Sequence, residues 1–422
     1  PESMRDSFLL TDYRGAATKC QSLVIKLRPD GSSFKVFNVD PLVEGLAASD
    51  VELGYDGNLY FADYGGGWSA NRNGTIQVLR PTDADARTNG AETARMFEKG
   101  FSHRSIAELE SLLDSADQRV RQEAQFALVE KGEKSLPTLI ELIEEQDDFA
   151  LSSLHALWAL GQLFREGVEE ASGPILSALQ SEHPELRANA ARVAGDVGIG
   201  EARDLLISAL EDSSNRVVSL SAIALGRLCE PGDREAEDAL LDAVGENQGS
   251  DFEVGLRHSF LSALSRISTA ESLAEIPASD SYERRLMAVL VLRRLQHQDL
   301  SLYLEDSHDL VRHEAIRAIY DTSALKTPAG SKLISLDLAD LPVYLQLRIL
   351  GAGFRSQSAE GARMLIRAAA DLDLDEEARF FAMRGLERWT DPPQFDAVLG
   401  DYRPMVASNL DLTTVSDALR MD

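Results

Sequence analysis

The sequence predicts a mostly α-helical chain: an α-solenoid of about nine repeats, preceded by a small all-β region. Three observations predict it. A seven-residue signature with helical offsets recurs nine times between residues 121 and 386, at a period near thirty that marks stacked helical repeats. Ahead of it, residues 1–81 carry short apolar runs separated by turn dipeptides. The 422 residues are 44% apolar, enough to fill large cores in more than one folding unit.

The β region comes first. Apolar runs at 8–10, 23–27, 34–39, 51–53, 59–62 and 75–79 are separated by Asp30-Gly31, Asp56-Gly57 and Asn73-Gly74. Such dipeptides favour hairpins, because tight turns demand positive φ at their central residues. The region repeats internally. Phe8-Leu9-Leu10-Thr11-Asp12-Tyr13 aligns with Leu59-Tyr60-Phe61-Ala62-Asp63-Tyr64, 51 residues on, and Leu27-Arg28-Pro29 with Leu79-Arg80-Pro81, 52 residues on. A β unit of this size implies blades of a propeller, which closes with about four blades or more. Fewer than two are present, so the others are expected on the N-terminal side. Asp12 and Asp63 end equivalent strands; they either face a channel and bind a cation or cap a turn through backbone N–H groups. Trp68, in a Gly-rich loop, reads as a blade-packing residue.

Residues 81–92 are polar, rich in turn formers and without apolar period, as expected of a connection between domains. This gives a β region at 1–84, a linker at 85–98, a helical array at 99–400 and a tail, or the start of another domain, at 401–422. Helical pattern starts at Thr93 and strengthens at Ser105-Ile106-Ala107-Glu108, a capping-box spelling, followed by Leu109, Leu112 and Leu113.

The signature places small residues at +3 and +6 and a large one at +7 from an anchor. Arg121 is followed by Ala124, Ala127 and Leu128, and Arg187 by Ala190, Val193 and Ala194. Arg285, Arg312 and Arg379 head equally clear copies, and Ser153, Val218, Arg257 and Arg348 looser ones. Anchor spacings run 32, 34, 31, 39, 28, 27, 36 and 31 residues. Each repeat reads as two helices, the anchor helix second, after a polar turn such as 114–117 or 212–215. Small residues let neighbouring helices approach and the large one fills the seam. The seven anchor arginines read as structural, with Asp117, Asp306 and Asp309 placed to pair with Arg121 and Arg312. The register is disturbed at 246–285, where an insertion at 246–250 and a weak helix at 268–281 containing Pro277 indicate drift or a bend. After Pro392-Pro393 the pattern fades.

Net charge is −28, which argues against nucleic-acid binding because that needs a basic footprint, and which disfavours anionic membrane surfaces. The acidity serves solubility. No apolar run approaches the roughly 18 residues of a membrane helix. Cys20 and Cys229 form no disulfide framework, CxxC or CxxCH motif,. The chain opens Pro1-Glu2-Ser3 without an initiator Met and reads as part of something longer. His308 and His313 are five apart, missing the four-residue spacing that puts two ligands on one helix face. His155 and Trp158 share a helix face that suits core packing or a planar ligand,. The acidic run 371–377 reads as a helix N-terminus,. No residue is assigned as catalytic, cofactor-binding or metal-ligating.

Two resemblances complete the reading. The stretch 50–64, with Asp56-Gly57-Asn58-Leu59-Tyr60 and Asp63, then Gly65-Gly66-Gly67-Trp68 and Gly74-Thr75-Ile76, resembles the last blade of glucose/sorbosone-dehydrogenase propellers. It is similar in particular to large planctomycete-type proteins described as membrane-bound dehydrogenases, in which such a propeller precedes a helical array and a c-type haem domain. The resemblance implies a periplasmic or secreted parent that uses pyrroloquinoline quinone and haem c. The quinone-binding blades and the haem motif are both absent here, so no catalytic residue carries over. The repeats resemble HEAT repeats of the phycobilisome-lyase type. On that basis the array is expected to be a spacer or a surface for a protein partner; a non-catalytic scaffold and a bilin-lyase-like protein are the alternatives.

Overall fold

The protein is described by a computed structural model covering residues 4, 6–65, 74–144, 150–246, 254–276, 281–413 and 415. It divides into two compact units, Pro1–Leu228 with Glu253–Ser259, and Cys229–Phe252 with Phe260–Asp422.

The first unit opens with six strands: β1 (Ser7–Asp12), β2 (Gln21–Asp30), β3 (Ser33–Glu44), β4 (Ala48–Leu53), β5 (Leu59–Asp63) and β6 (Thr75–Leu79). They form two three-stranded antiparallel sheets, β1-β2-β3 and β4-β5-β6. Ala48, Leu59 and Phe61 make a small core, with Leu9, Leu42, Val43 and Val51 packed against it. The other face is bare. Phe8, Leu10, Phe34, Val36, Phe37, Val39, Ile76 and Val78 are all exposed, Ile76 at 65%. An antiparallel sheet with one solvated face ordinarily alternates apolar with polar; these strands are apolar on both faces.

The residues expected to form a linker are instead helical. Helix α1 spans Ala84–Lys99, capped by Asp83, whose carboxylate accepts the Asp85 and Ala86 N–H groups. Its polarity hid it, because its contact with the rest of the unit uses a glycine and an aromatic ring rather than an apolar stripe. Gly90 lies so close to the β4–β5 turn that a Cβ would sit 2.3 Å from the Asp56 carbonyl oxygen. Tyr55 stacks on Phe97 at 3.9 Å between ring centres.

Eight helices follow in this unit as pairs: α2 (Ile106–Leu112) with α3 (Gln118–Glu130), α4 (Leu136–Glu144) with α5 (Leu151–Arg165), α6 (Ser172–Ala178) with α7 (Pro184–Val197), and α8 (Arg203–Ser208) with α9 (Asn215–Leu228). The Ser105–Glu108 capping box forms at the head of α2. Anchors Arg121, Ser153, Arg187 and Val218 fall on α3, α5, α7 and α9, which lie side by side in chain order. Their +3, +6 and +7 positions are buried: Ala124, Ala127 and Leu128, for example, and Ala156, Ala159 and Leu160.

Next in the chain come α10 (Arg234–Glu246) and α11 (Val254–Ile267), the latter divided between the two units. In the second unit come α12 (Ala270–Ala274) with α13 (Tyr282–Leu295), then α14 (Asp309–Asp321), α15 (Pro328–Ile334) with α16 (Val343–Ser356), and α17 (Ala359–Ala370) with α18 (Glu376–Glu387). Before α14 the partner helix shrinks to a single 3-10 segment, Gln298–Tyr303, because the shortest anchor spacing leaves no room for a longer one. Residues 247–253 and 277–280, which include most of the insertion and Pro277, lie outside the described residues. The acidic run behaves as a helix start, with Asp375 accepting the Glu377 N–H at the head of α18.

After Pro392-Pro393, where the repeat pattern fades, residues 395–403 keep local order. Phe395 and Tyr402 bridge as β partners, and Asp396, 3% exposed, accepts hydrogen bonds from Tyr320 Oη at 2.9 Å and from the Val398 and Leu399 N–H groups. No helix of the described residues is long and apolar enough to cross a membrane.

Candidate functional site

The anchor arginines explain themselves once the turns are in place. In the first unit Arg187 donates from one guanidinium nitrogen to the carbonyls of Ser181 (2.7 Å) and Glu182 (3.0 Å), in its own turn. Its other edge meets Asp212, in the next repeat's turn, through Nε (2.7 Å) and Nη2 (2.9 Å). One planar fork therefore ties two successive turns together, which a lysine ammonium cannot do. Asp212 in turn accepts the Ser214 N–H at 2.8 Å. Burial, the largest single influence, works against its charge, but the Arg187 bonds, the Ser214 N–H and the Arg187 charge together outweigh it and hold the carboxyl below the usual range. Arg285 and Asp306 repeat the pair at 2.7 and 3.1 Å, and Arg312 donates to the Asp306 carbonyl six residues back.

The expected pairing of Asp117 with Arg121 does not form. Asp117 caps α3 and binds Arg119, while Arg121 serves the Ser115 and Ala116 carbonyls and His155. Asp309 does pair with Arg312. Arg348 bonds Asp321 at the end of the preceding anchor helix. Arg257 is exposed and makes no ion pair among the described residues, and Arg379 buries an Nε with no partner.

Beside this row of clamps lies a groove of about 350 Å3 across α3, α5 and α7. Its lining includes Gln118, Gln122, Phe126, Trp158, Arg165 and Arg192. Phe126, Trp158 and Arg192 occupy the same position, +5 from the anchor, in three successive repeats. At 100° per residue that position points away from the core face set by +3, +6 and +7. A hydrogen-bonded row forms the floor. Arg121 Nε donates to His155 Nε2 (3.3 Å), so Nδ1 carries the proton and donates to Gln125 Oε1 (2.8 Å), and Gln125 Nε2 donates to Gln162 Oε1 (3.2 Å). Burial, then the Arg121 charge, push the His155 imidazole down to about 4. It is neutral at pH 7 with both nitrogens committed, so it holds the floor together rather than moving protons. The Trp158 ring meets His155 edge-on at 5.0 Å, and its N–H donates to Asn189. Asp196, at the rim, is paired with Arg192 and Arg227.

What remains free is informative. Gln118 and Gln122 are exposed and make no hydrogen bond among the described residues, and Arg165 makes no ion pair. Primary amides offer both a donor and an acceptor, suited to the N–H and C=O groups of an extended peptide. Phe126 and Trp158 offer it an apolar wall. The sequence reading found His155 and Trp158 but missed the glutamines. Their signal was the i, i+4, i+7 polar stripe Gln118, Gln122 and Gln125 on one anchor helix.

The remaining candidates have local partners. Asp12 pairs with Arg14 and Gln21, and Asp63 accepts the Gly65 N–H. Asp56 accepts from the Asn58 main chain and amide and from the Tyr60 hydroxyl, and Gly57 takes the positive φ of 77° that this turn requires,. Trp68 lies outside the described residues. His308 caps α14 and stacks on Tyr282. Among the described residues no group of three His, Cys, Asp or Glu is placed to hold a metal ion.

Residues 172–254, covering the third and fourth helix pairs and α10, match the family model of HEAT repeats. Residues 172–254 carry HEAT repeats. Several solved structures are similar to it. The complex of CpcE and CpcF of phycocyanin lyase from Nostoc sp. is 21% identical, with 67% of this chain and 94% of that one covered and a TM-score of 0.29. Human deoxyhypusine hydroxylase is 19% identical, with 67% and 94% covered and a TM-score of 0.26. Kap95p in complex with RanGDP is 13% identical, with 74% and 48% covered and a TM-score of 0.36. Likenesses this loose carry no argument, and the HEAT assignment stands on the family match over residues 172–254. No curated protein matches the sequence.

Proposed function

We propose that this HEAT-repeat chain is a protein-interaction scaffold whose first unit holds an extended segment of a partner protein in the groove over α3, α5 and α7. One observation carries the reading: Phe126 and Trp158 stand on α3 and α5 beside Gln118 and Gln122, amides that make no hydrogen bond among the described residues, over a floor whose own polar groups are satisfied. Free amides pair with the partner's main chain, and Phe126 and Trp158 cover its side chains. Arg165, a cation without an ion pair among the described residues, favours a carboxylate on the partner,. The test is panning of a random dodecapeptide library on the whole chain, with enriched peptides titrated against Trp158→Ala and Gln122→Ala. Loss of at least tenfold in affinity in both variants supports the groove. Peptides that bind wild type and variants alike refute it.

A finer reading concerns the β region. The bare apolar faces of β1, β3 and β6, together with the internal repeat of about fifty residues, favour two terminal blades of a propeller. In the repeat register β1 corresponds to β5 and β2 to β6, so each sheet supplies three strands of a blade, against four in a complete one. The parent would then be a periplasmic or secreted dehydrogenase of the glucose/sorbosone type, with the HEAT array as spacer or docking surface. Pyrroloquinoline quinone and haem c would belong to that parent. The residues present do not fit either group: the β region has no histidine, and the Cys20 thiol is buried and donates to the Ala16 carbonyl. Extending the reading frame tests this. About four further blades upstream and a CxxCH motif downstream support it, and a frame without them removes it.

A further inference from the structure

The second unit contains a cavity of about 590 Å3 between α15, α16 and the chain segment after Tyr402. Volumes of about 300–1,000 Å3 are usual for small-molecule sites. Its charged lining residues are Lys326, Arg355 and Arg403, without a single carboxylate. In a chain with 70 acidic and 42 basic residues, a chance selection of lining would bring acids in.

The arginines are held in place from behind. The buried Asp396 lies 3.4 Å from Arg355 and 3.7 Å from Arg403. Arg355 donates to the Arg403 carbonyl, and Arg403 to the carbonyls of Tyr320, Asp321 and Thr322. Asp396 offsets one of the two arginine charges, so the wall keeps a surplus of positive charge. Lys326 and Ser331 are exposed and make no hydrogen bond among the described residues, leaving an ammonium and a hydroxyl free to bind. The Tyr402 ring, 62% exposed, and Ile334 supply an apolar side.

We propose that this cavity binds a small organic anion, a phosphate or carboxylate carried on an apolar body. The anionic group meets Lys326, Ser331 and the outer edges of the arginines, and the body lies against Tyr402 and Ile334. The segment after Asp396 then serves as one wall of the site, which gives its buried latch a purpose beyond tidying the chain end. The proposal is independent of the groove in the first unit.

Calorimetric titration of the whole chain with phenyl phosphate, benzoate and neutral benzyl alcohol tests it. Saturable binding of at least one anion is expected, with none for the alcohol, and with affinity falling as salt screens the charges. The exposed substitutions Lys326→Glu and Tyr402→Ala, checked for an unchanged circular dichroism spectrum, are each expected to weaken binding tenfold or more. Tighter binding of phenyl phosphate than of benzoate assigns a phosphate ligand, and the reverse a carboxylate. Failure of both anions to saturate, equal binding of benzyl alcohol, or binding unchanged in Lys326→Glu overturns the proposal.

Discussion

Replacing Arg187 tests the idea that a guanidinium fork holds successive repeats together. Arg187→Ala removes the bonds to the Ser181 and Glu182 carbonyls and both bonds to Asp212, whose side chain is 11% exposed. Among the described residues the carboxylate keeps the Ser214 N–H. Breaking a buried pair by removing one partner costs about 3–5 kcal/mol. Here both groups retain a wet edge, which places the expected loss at the low end, about 3 kcal/mol. Arg187→Lys keeps the charge but can reach only one of the two turns, so roughly half of that loss is expected. Arg257→Ala, at an exposed anchor without an ion pair among the described residues, is expected within about 0.5 kcal/mol of wild type. Hydrogen exchange of the α7 and α9 amides reads the local opening free energy directly. An Arg187→Ala effect no larger than that of Arg257→Ala, or full retention in Arg187→Lys, would refute the argument.

Other outcomes follow from single contacts. Gly195→Ala drives a Cβ to within 2.7 Å of Ala224 backbone and side chain and is expected to cost about 2 kcal/mol by urea denaturation, whereas Gly173→Ala, with nothing within 4 Å, is expected to gain up to about 1 kcal/mol. The His155 imidazole titrates at about 4 in the fold, below its reference of about 6.5, so the unfolded chain takes up the proton first. Stability is therefore full above about pH 6.5 and lost as pH falls toward 4, at up to about 1.4 kcal/mol per pH unit; urea midpoints across this window should show the slope, and His155→Gln should flatten it. Gly90→Ala brings a Cβ against the Asp56 carbonyl and should expose the β region to limited proteolysis while the helical repeats stay resistant; equal resistance of both would show that α1 does not hold the sheets.

How much of this was legible in the sequence depended on whether a feature repeats. Each of the nine anchors falls on a helix, because close packing of successive anchor helices keeps the +3, +6 and +7 positions apolar and mostly small at the clearer copies. The Ser105–Glu108 capping box and the Asp56-Gly57 turn were legible from local chemistry alone. The first half of helix α1, ahead of the pattern that starts at Thr93, was not, since a helix that docks through Gly90 and Phe97 shows no apolar stripe. The partners of Arg121 were misread because its turn carboxylate, Asp117, is claimed by Arg119 two residues on. The groove was half visible: His155 and Trp158 stood out as unusual residues, but the +5 row emerges only when three repeats are laid side by side.

The central claim is that the first unit binds an extended peptide across α3, α5 and α7. Its most direct test is hydrogen exchange of the whole chain with and without a peptide enriched from the library. Slowed exchange is expected in α3, α5 and α7, with an unchanged pattern in α13 to α18. Protection confined to the second unit or to the β strands, with none on those three helices, would contradict it.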